Sequence, residues 1–172
     1  MSRADPDTPQ FEQIFAENVD YVWRVLGHLG VPARDRDDLV QEVFLVVHRK
    51  LSDYEPRASV RSWLWAIAWR VMMASARKAR RAPIAVGFEP QPVSEEPTPE
   101  RTAADRQALR RLDEAVAALS PAQRAIFLMH EVEGMPMRAI VEGMGCPLQT
   151  GYSRLRLARA KVREAFTEAP DA

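Results

Sequence analysis

A single cysteine, Cys146, stands in a chain of 172 residues. One thiol cannot build an internal disulfide framework. That excludes the small secreted scaffolds that need one and points to a reducing, cytoplasmic setting. Glycine is scarce, with seven residues, and no stretch alternates apolar and polar residues long enough to make a strand. Apolar runs are short. Arg or another polar residue interrupts each within a few positions, so none can span a bilayer and no membrane insertion is expected. The opening MSRADPDTPQ lacks the apolar stretch of a signal peptide. His28, His48 and His130 fall on separate segments and form no ligand-spaced set. There is no Gly-rich phosphate loop and no serine–histidine arrangement. The sequence therefore offers no catalytic residues, no metal ligands and no cofactor motif, and no enzyme is expected.

Net charge is also missing: the formal total is zero. The distribution is uneven, however. Residues 1–56 carry six basic and eleven acidic side chains, and residues 84–137 carry five and nine. Residues 57–83 carry seven basic and no acidic side chains, and residues 138–172 carry six and four. Affinity for a polyanion follows local charge, so two basic segments remain candidates for nucleic acid.

What is present is helical pattern, and the expected fold class is all-α. Phe11, Ile14, Phe15, Val19, Val22, Leu26 and Leu29 recur at helical spacing until Gly30 and Pro32 stop them. A second helix runs from about Asp35, with Leu39, Val43, Val47 and Leu51 as its stripe. A third runs from near Arg57 to about Arg81, with Val60, Leu64, Ile67, Ala68 and Val71 inward. Three such helices can share a core. Residues 83–99 then hold five prolines, which deny the backbone its helical donors and read as a linker. Helix resumes from near Glu100. Ser120-Pro121 opens another helix, a short one spans Pro136 to about Met144, and Gly145 stops it. The division is a first domain over residues 8–82, a linker over 83–99 and a second domain over 100–172.

Three segments carry chemistry. Met137–Met144, a Gly-Cys-Pro turn and Leu148–Phe166 have the layout of a helix-turn-helix. Leu148, Leu155 and Val162 form the seam of the last helix, with Ala158 and Ala165 beside it. Gln149, Thr150, Tyr152, Ser153, Arg154 and Arg156 lie away from the seam. Hydroxyls, an amide and guanidinium groups suit the reading of bases and phosphates; a core helix with a solvated basic face is the bland alternative. The third helix interleaves arginines with Trp63, Trp65 and Trp69. Trp65 and Trp69, four apart, share a face and suit stacking on unpaired bases, or equally suit a core; Trp63 reads as core. On the second helix Asp38, Gln41 and Glu42 share a face opposite Leu39 and Val43, either simply solvated or a dock for a basic partner.

In this order, the segments DDLVQEVFLVVHRKL, YEPRASVRSWLWAIA, LSPAQRAIFLMHEVEG and PLQTGYSRLRLARAKVREAF resemble the extracytoplasmic-function (ECF) sigma factors of bacteria, from Phe11 to Phe166. The resemblance implies a two-domain helical protein that binds RNA polymerase core and promoter DNA and answers to an anti-sigma factor. It implies that Asp37, Asp38, Leu39, Gln41 and Glu42 dock on the polymerase. It implies that Arg57, Arg61, Trp65, Trp69, Arg70, Arg77 and Lys78 capture the single strand of the −10 element. Gln149, Thr150, Tyr152, Ser153, Arg154 and Arg156 would read the −35 element. The chain departs from the family at named positions. Arg70 and Ala74 replace a common Asn and Asp, and an altered −10 preference is expected. Val141 stands where a small residue packs under the turn, and Gly143 where an aliphatic is common. Gly151 falls on the apolar side of the last helix, which implies a C-terminal domain that is less stable or reads an unusual −35 element, unless neighbours repack. The competing readings are a free-standing helix-turn-helix regulator, which leaves the acidic and Trp-rich helices without a role, and a sigma-like decoy for an anti-sigma factor.

Overall fold

The computed structural model describes residues 10–54, 59–81 and 103–167. Arg57 and the 83–99 linker lie outside the described residues. Every regular element among those described is helical.

The first lobe holds α1 (Phe11–His28), α2 (Ala33–Lys50) and α3 (Val60–Arg81), with a short 3-10 turn at Leu51–Asp53. The stop read at Gly30 is real and has a cause. Gly30 takes φ 89, the left-handed region that costs glycine no Cβ clash. Its N–H donates to Gly27 O at 2.9 Å and the Val31 N–H donates to Leu26 O at 3.0 Å, the paired bonds of a Schellman stop. Pro32 then sets the chain for α2. The inward stripes meet as expected: Val22, Val25 and Leu26 of α1, Val43 and Val47 of α2, and Leu64 and Ala68 of α3 are sealed from solvent.

The second lobe holds α4 (Ala103–Ala117), α5 (Pro121–Phe127), a π-helical turn at Leu128–Val132, α6 (Met137–Met144) and α7 (Leu148–Thr167). Ser120 caps α5 with a full capping box: its hydroxyl accepts from the Gln123 N–H at 3.4 Å, and the Gln123 amide oxygen accepts from the Ser120 N–H at 3.3 Å. The buried Arg124 donates to the Val116, Ala117 and Leu119 carbonyls. A cation thereby satisfies the orphan acceptors at the end of α4 and meets the negative end of its dipole. The π-helical turn carries no glycine or proline signal in the sequence. It places Glu133 at its end, where the side chain reaches α1.

The two lobes are in contact. Helix α3 packs along α6, and one continuous set of buried side chains runs from α1 to α7.

Candidate nucleic-acid interface

The α6–turn–α7 unit is built by its small residues. Gly145 ends α6 at φ 66, and the Cys146 N–H returns to Val141 O at 3.0 Å. No other residue type takes that backbone conformation as cheaply. Inside the unit, a Cβ on Gly151 would lie 2.4 Å from Val141 Cγ1 and 2.8 Å from Met137 Sδ. The two departures noted above are thus one exchange: Val141 is larger, Gly151 is smaller, and the volume under the turn stays filled. Of the alternatives left open by the sequence, the packing here is the one in which neighbours fill the space. What remains is the helix-propensity cost of a glycine, about 1 kcal/mol relative to alanine. The seam is corrected as well. Leu155 and Ala158 are buried, but Leu148 is 41% exposed, because Gly151 takes the inward position one turn later.

On the outer face of α7, Gln149, Tyr152, Ser153 and Arg156 are exposed, and Thr150 and Arg154 are half-buried. Arg154 leans back across the turn, its Nη1 donating to Cys146 Sγ at 3.7 Å. Arg159 pairs with Glu131 and ties α7 to the π-helical turn. Of the six polar residues singled out on α7, four are thus exposed and two half-buried.

Helix α3 differs. Arg61, Arg70, Arg77 and Lys78 are exposed. Trp65 is 0% and Trp69 7% exposed, with ring centroids 5.7 Å apart. Both indoles, read equally as base-stacking or core, are buried in this arrangement, and the second lobe covers Trp65. The Trp65 indole N–H donates to Ile140 O at 3.3 Å. Trp63, expected in the core, is half-buried at the lobe's margin, its ring 5.0 Å from that of Tyr54.

On α2, Asp37, Asp38, Gln41 and Glu42 form an exposed row, as expected, whereas Leu39 points into the core and seats the helix rather than facing outward. The sequence did not single out the residues that brace this row. Trp23 of α1 is 40% exposed, and its indole N–H donates to Asp37 Oδ1 at 3.0 Å. Beneath it lies the buried Arg36, its guanidinium carbon 4.3 Å from the Trp23 ring centroid. Arg36 Nε donates to Val31 O at 2.9 Å. A Cβ on Gly27 would lie 2.8 Å from the Arg36 guanidinium carbon, so glycine makes room for it. Among the described residues no group of three or more His, Cys, Asp or Glu side chains is placed to hold a metal ion, and no helix is long and apolar enough to cross a membrane.

Two helical lobes, the second ending in a helix-turn-helix, define an all-helical two-lobed class of protein. Family models narrow it: Sigma-70 region 2 matches residues 14–82 and Sigma-70, region 4 matches residues 109–162. The chain is 30% identical over 163 residues to the ECF RNA polymerase sigma factor RpoE of Cereibacter sphaeroides, covering 92% of this chain and 87% of that protein. It is 28% identical over 160 residues to the ECF RNA polymerase sigma factor SigE of Mycolicibacterium smegmatis, covering 91% of this chain but 61% of SigE, so it spans about three-fifths of that relative's length. The fold matches sigma factor RpoE, solved in complex with the anti-sigma factor NepR from Bartonella quintana, at TM-score 0.70 and 20% identity, over 93% of this chain and 98% of that one. The chain belongs to the ECF RNA polymerase sigma factor family.

Proposed function

We propose that this protein is an ECF-type sigma subunit that binds RNA polymerase core and directs promoter recognition, melting and initiation, with no chemistry of its own. The observation that carries the reading is the pairing, in one chain of that family, of an exposed acidic row on α2 with an open recognition face on α7. Asp37, Asp38, Gln41 and Glu42 face the polymerase, with Leu39 seating their helix. Gln149, Thr150, Tyr152, Ser153, Arg154 and Arg156 face the −35 duplex, with phosphate contacts supplying affinity and base-edge contacts supplying choice. Arg57, Arg61, Trp65, Trp69, Arg70, Arg77 and Lys78 serve the opened −10 strand. The domains run over residues 8–82 and 100–172, joined by the 83–99 linker. An anti-sigma factor holds the protein inactive in the cytoplasm, as NepR binds RpoE in the related complex.

The test is transcription by bacterial core polymerase on a fragment library from the source genome. Discrete start sites that appear only with this protein, and vanish with Asp38→Lys, support the reading. Silence with core bound favours a decoy for an anti-sigma factor. A shifted duplex without any core binding favours a free-standing regulator.

A further inference from the structure

One carboxylate of the acidic row on α2, that of Asp37, is held from α1. The Trp23 indole N–H donates to Asp37 Oδ1 at 3.0 Å. The ring that carries this donor is itself seated. The Arg36 guanidinium carbon lies 4.3 Å from the ring centroid, and the buried Arg36 is anchored through Nε on Val31 O. Gly27 leaves the space that the guanidinium fills: a Cβ there would lie 2.8 Å from Arg36 Cζ and 2.9 Å from Nη1. Trp23 and Gly27 are four apart on α1 and share a helix face. Three residues thus stand in line behind one surface carboxylate.

Burial does not explain the arrangement. Trp23 is 40% exposed, yet its polar edge is turned to the row. The chemistry of the donor matters too. An indole N–H is uncharged and donates only. It orients the carboxylate without cancelling its charge, which an arginine or lysine partner would do. Asp37 is exposed, so its second oxygen stays available to a cation from outside. A side chain held in one rotamer beforehand has less freedom to lose when a partner binds.

We propose that Trp23 is a positioning residue for docking: seated by Arg36 and Gly27, it fixes the Asp37 carboxylate in the orientation in which it meets a basic group of the polymerase. The docking role of Asp37 rests on the sigma-factor reading; the brace does not.

The test is a double-mutant cycle in the full-length chain. Trp23→Phe keeps a ring over Arg36 and removes the donor. Asp37→Ala removes the acceptor. Affinity for purified bacterial core polymerase is measured by competition against labelled wild-type protein, with thermal midpoints alongside. Trp23→Phe is expected to bind core about two- to tenfold more weakly, with its midpoint unchanged. In the Asp37→Ala background it is expected to make no further difference. Gly27→Ala leaves donor and acceptor intact but moves the flexible end of Arg36 aside, and should weaken binding in the same direction. It decides the matter if Trp23→Phe lowers the midpoint. Wild-type affinity in both Trp23→Phe and Gly27→Ala overturns the proposal. So does an equal loss from Trp23→Phe with and without Asp37, which would make Trp23 a contact in its own right. Asp38→Lys separates the two readings. If it abolishes core binding while Trp23→Phe does not weaken it, the row docks and the positioning role is wrong. If the wild type itself fails to bind core, the docking reading falls and the positioning role with it. The brace is then still visible as a shift of the Trp23 indole proton resonance in Asp37→Ala.

Discussion

Helices α3 and α7 carry the two basic segments of a chain with no net charge, and the structure treats them in opposite ways. Much of the polar face of α7 points outward: Gln149, Tyr152, Ser153 and Arg156 are exposed. The aromatic face of α3 is sealed under another helix, with Trp65 fully buried. Both carry arginines, so charge does not separate them. What separates them is the partner surface. Helix α7 needs only a neighbour that fills its inner side, and Val141 and Met137 do that beside Gly151. Helix α3 presents the large indole of Trp65 to Ile140 and Gly143 of the second lobe, and about 25 cal/mol is gained for each Å² of apolar surface removed from water. Helix α6 supplies the cover because Gly143 lets it approach.

The comparison can be broken first at its heaviest contact. Trp65→Ala removes the largest fully buried side chain. The expected loss is about 3–5 kcal/mol, read as a large fall in the denaturation midpoint. A change below about 1 kcal/mol would mean that the indole is not packed as described.

The next test falls on the α7 side. Gly151→Val drives a side chain into Val141 and Met137 and should cost about 1–3 kcal/mol by overpacking. Val141→Ala in the same chain should restore much of that loss, since the two positions share one volume. Independent, additive losses would refute the exchange.

A smaller effect belongs to the ion pair. Arg24 is about half-exposed in its pair with Glu133, so solvent screening limits the pair to about 1 kcal/mol or less. A double-mutant cycle with Arg24→Gln and Glu133→Gln measures it directly. A coupling near zero would leave the Trp65–Gly143 contact as the principal hold.

The smallest effect is pH dependence. Burial lowers the pKa of His28 below its ordinary value of 6.5, with Arg24 and Arg36 adding to the shift and Glu133 opposing it. The packed state therefore holds His28 neutral, while the unfolded chain takes up a proton below about pH 6.5. The contribution of His28 is complete above that pH and is lost as pH falls towards the depressed native value. Unfolding midpoints should decline over this window in the wild type and less so in His28→Gln. Identical profiles would show that another group sets the acid response.

Much of the fold was legible because its signals are local. The stops at Gly30 and Gly145, the Ser120-Pro121 start and the inward stripes of α1–α3 each depend on residues a few positions apart. The outer face of α7 was legible for the same reason. The burial of Trp65 was not, since it depends on Ile140 and Gly143, more than seventy positions away. Arg24 and Glu133 are 109 positions apart, and no periodicity joins them. Trp23 could have been noticed: a tryptophan one helix away from an acidic row is a fitting donor for one of its carboxylates. Gly143 and Gly151 read as defects in isolation. Each becomes intelligible only against the side chain that occupies its space.

The most direct test follows the distance between the lobes as the protein changes partner. Donor and acceptor dyes are placed at Gln13→Cys and Glu164→Cys in a Cys146→Ser background, at exposed positions on α1 and α7. Energy transfer is measured in the free protein and again after core polymerase and promoter DNA are added. The packing of α6 on α3 predicts a single transfer efficiency in the free protein that changes when a transcription-competent complex forms. The same efficiency in both states, in a preparation that initiates transcription, would contradict it.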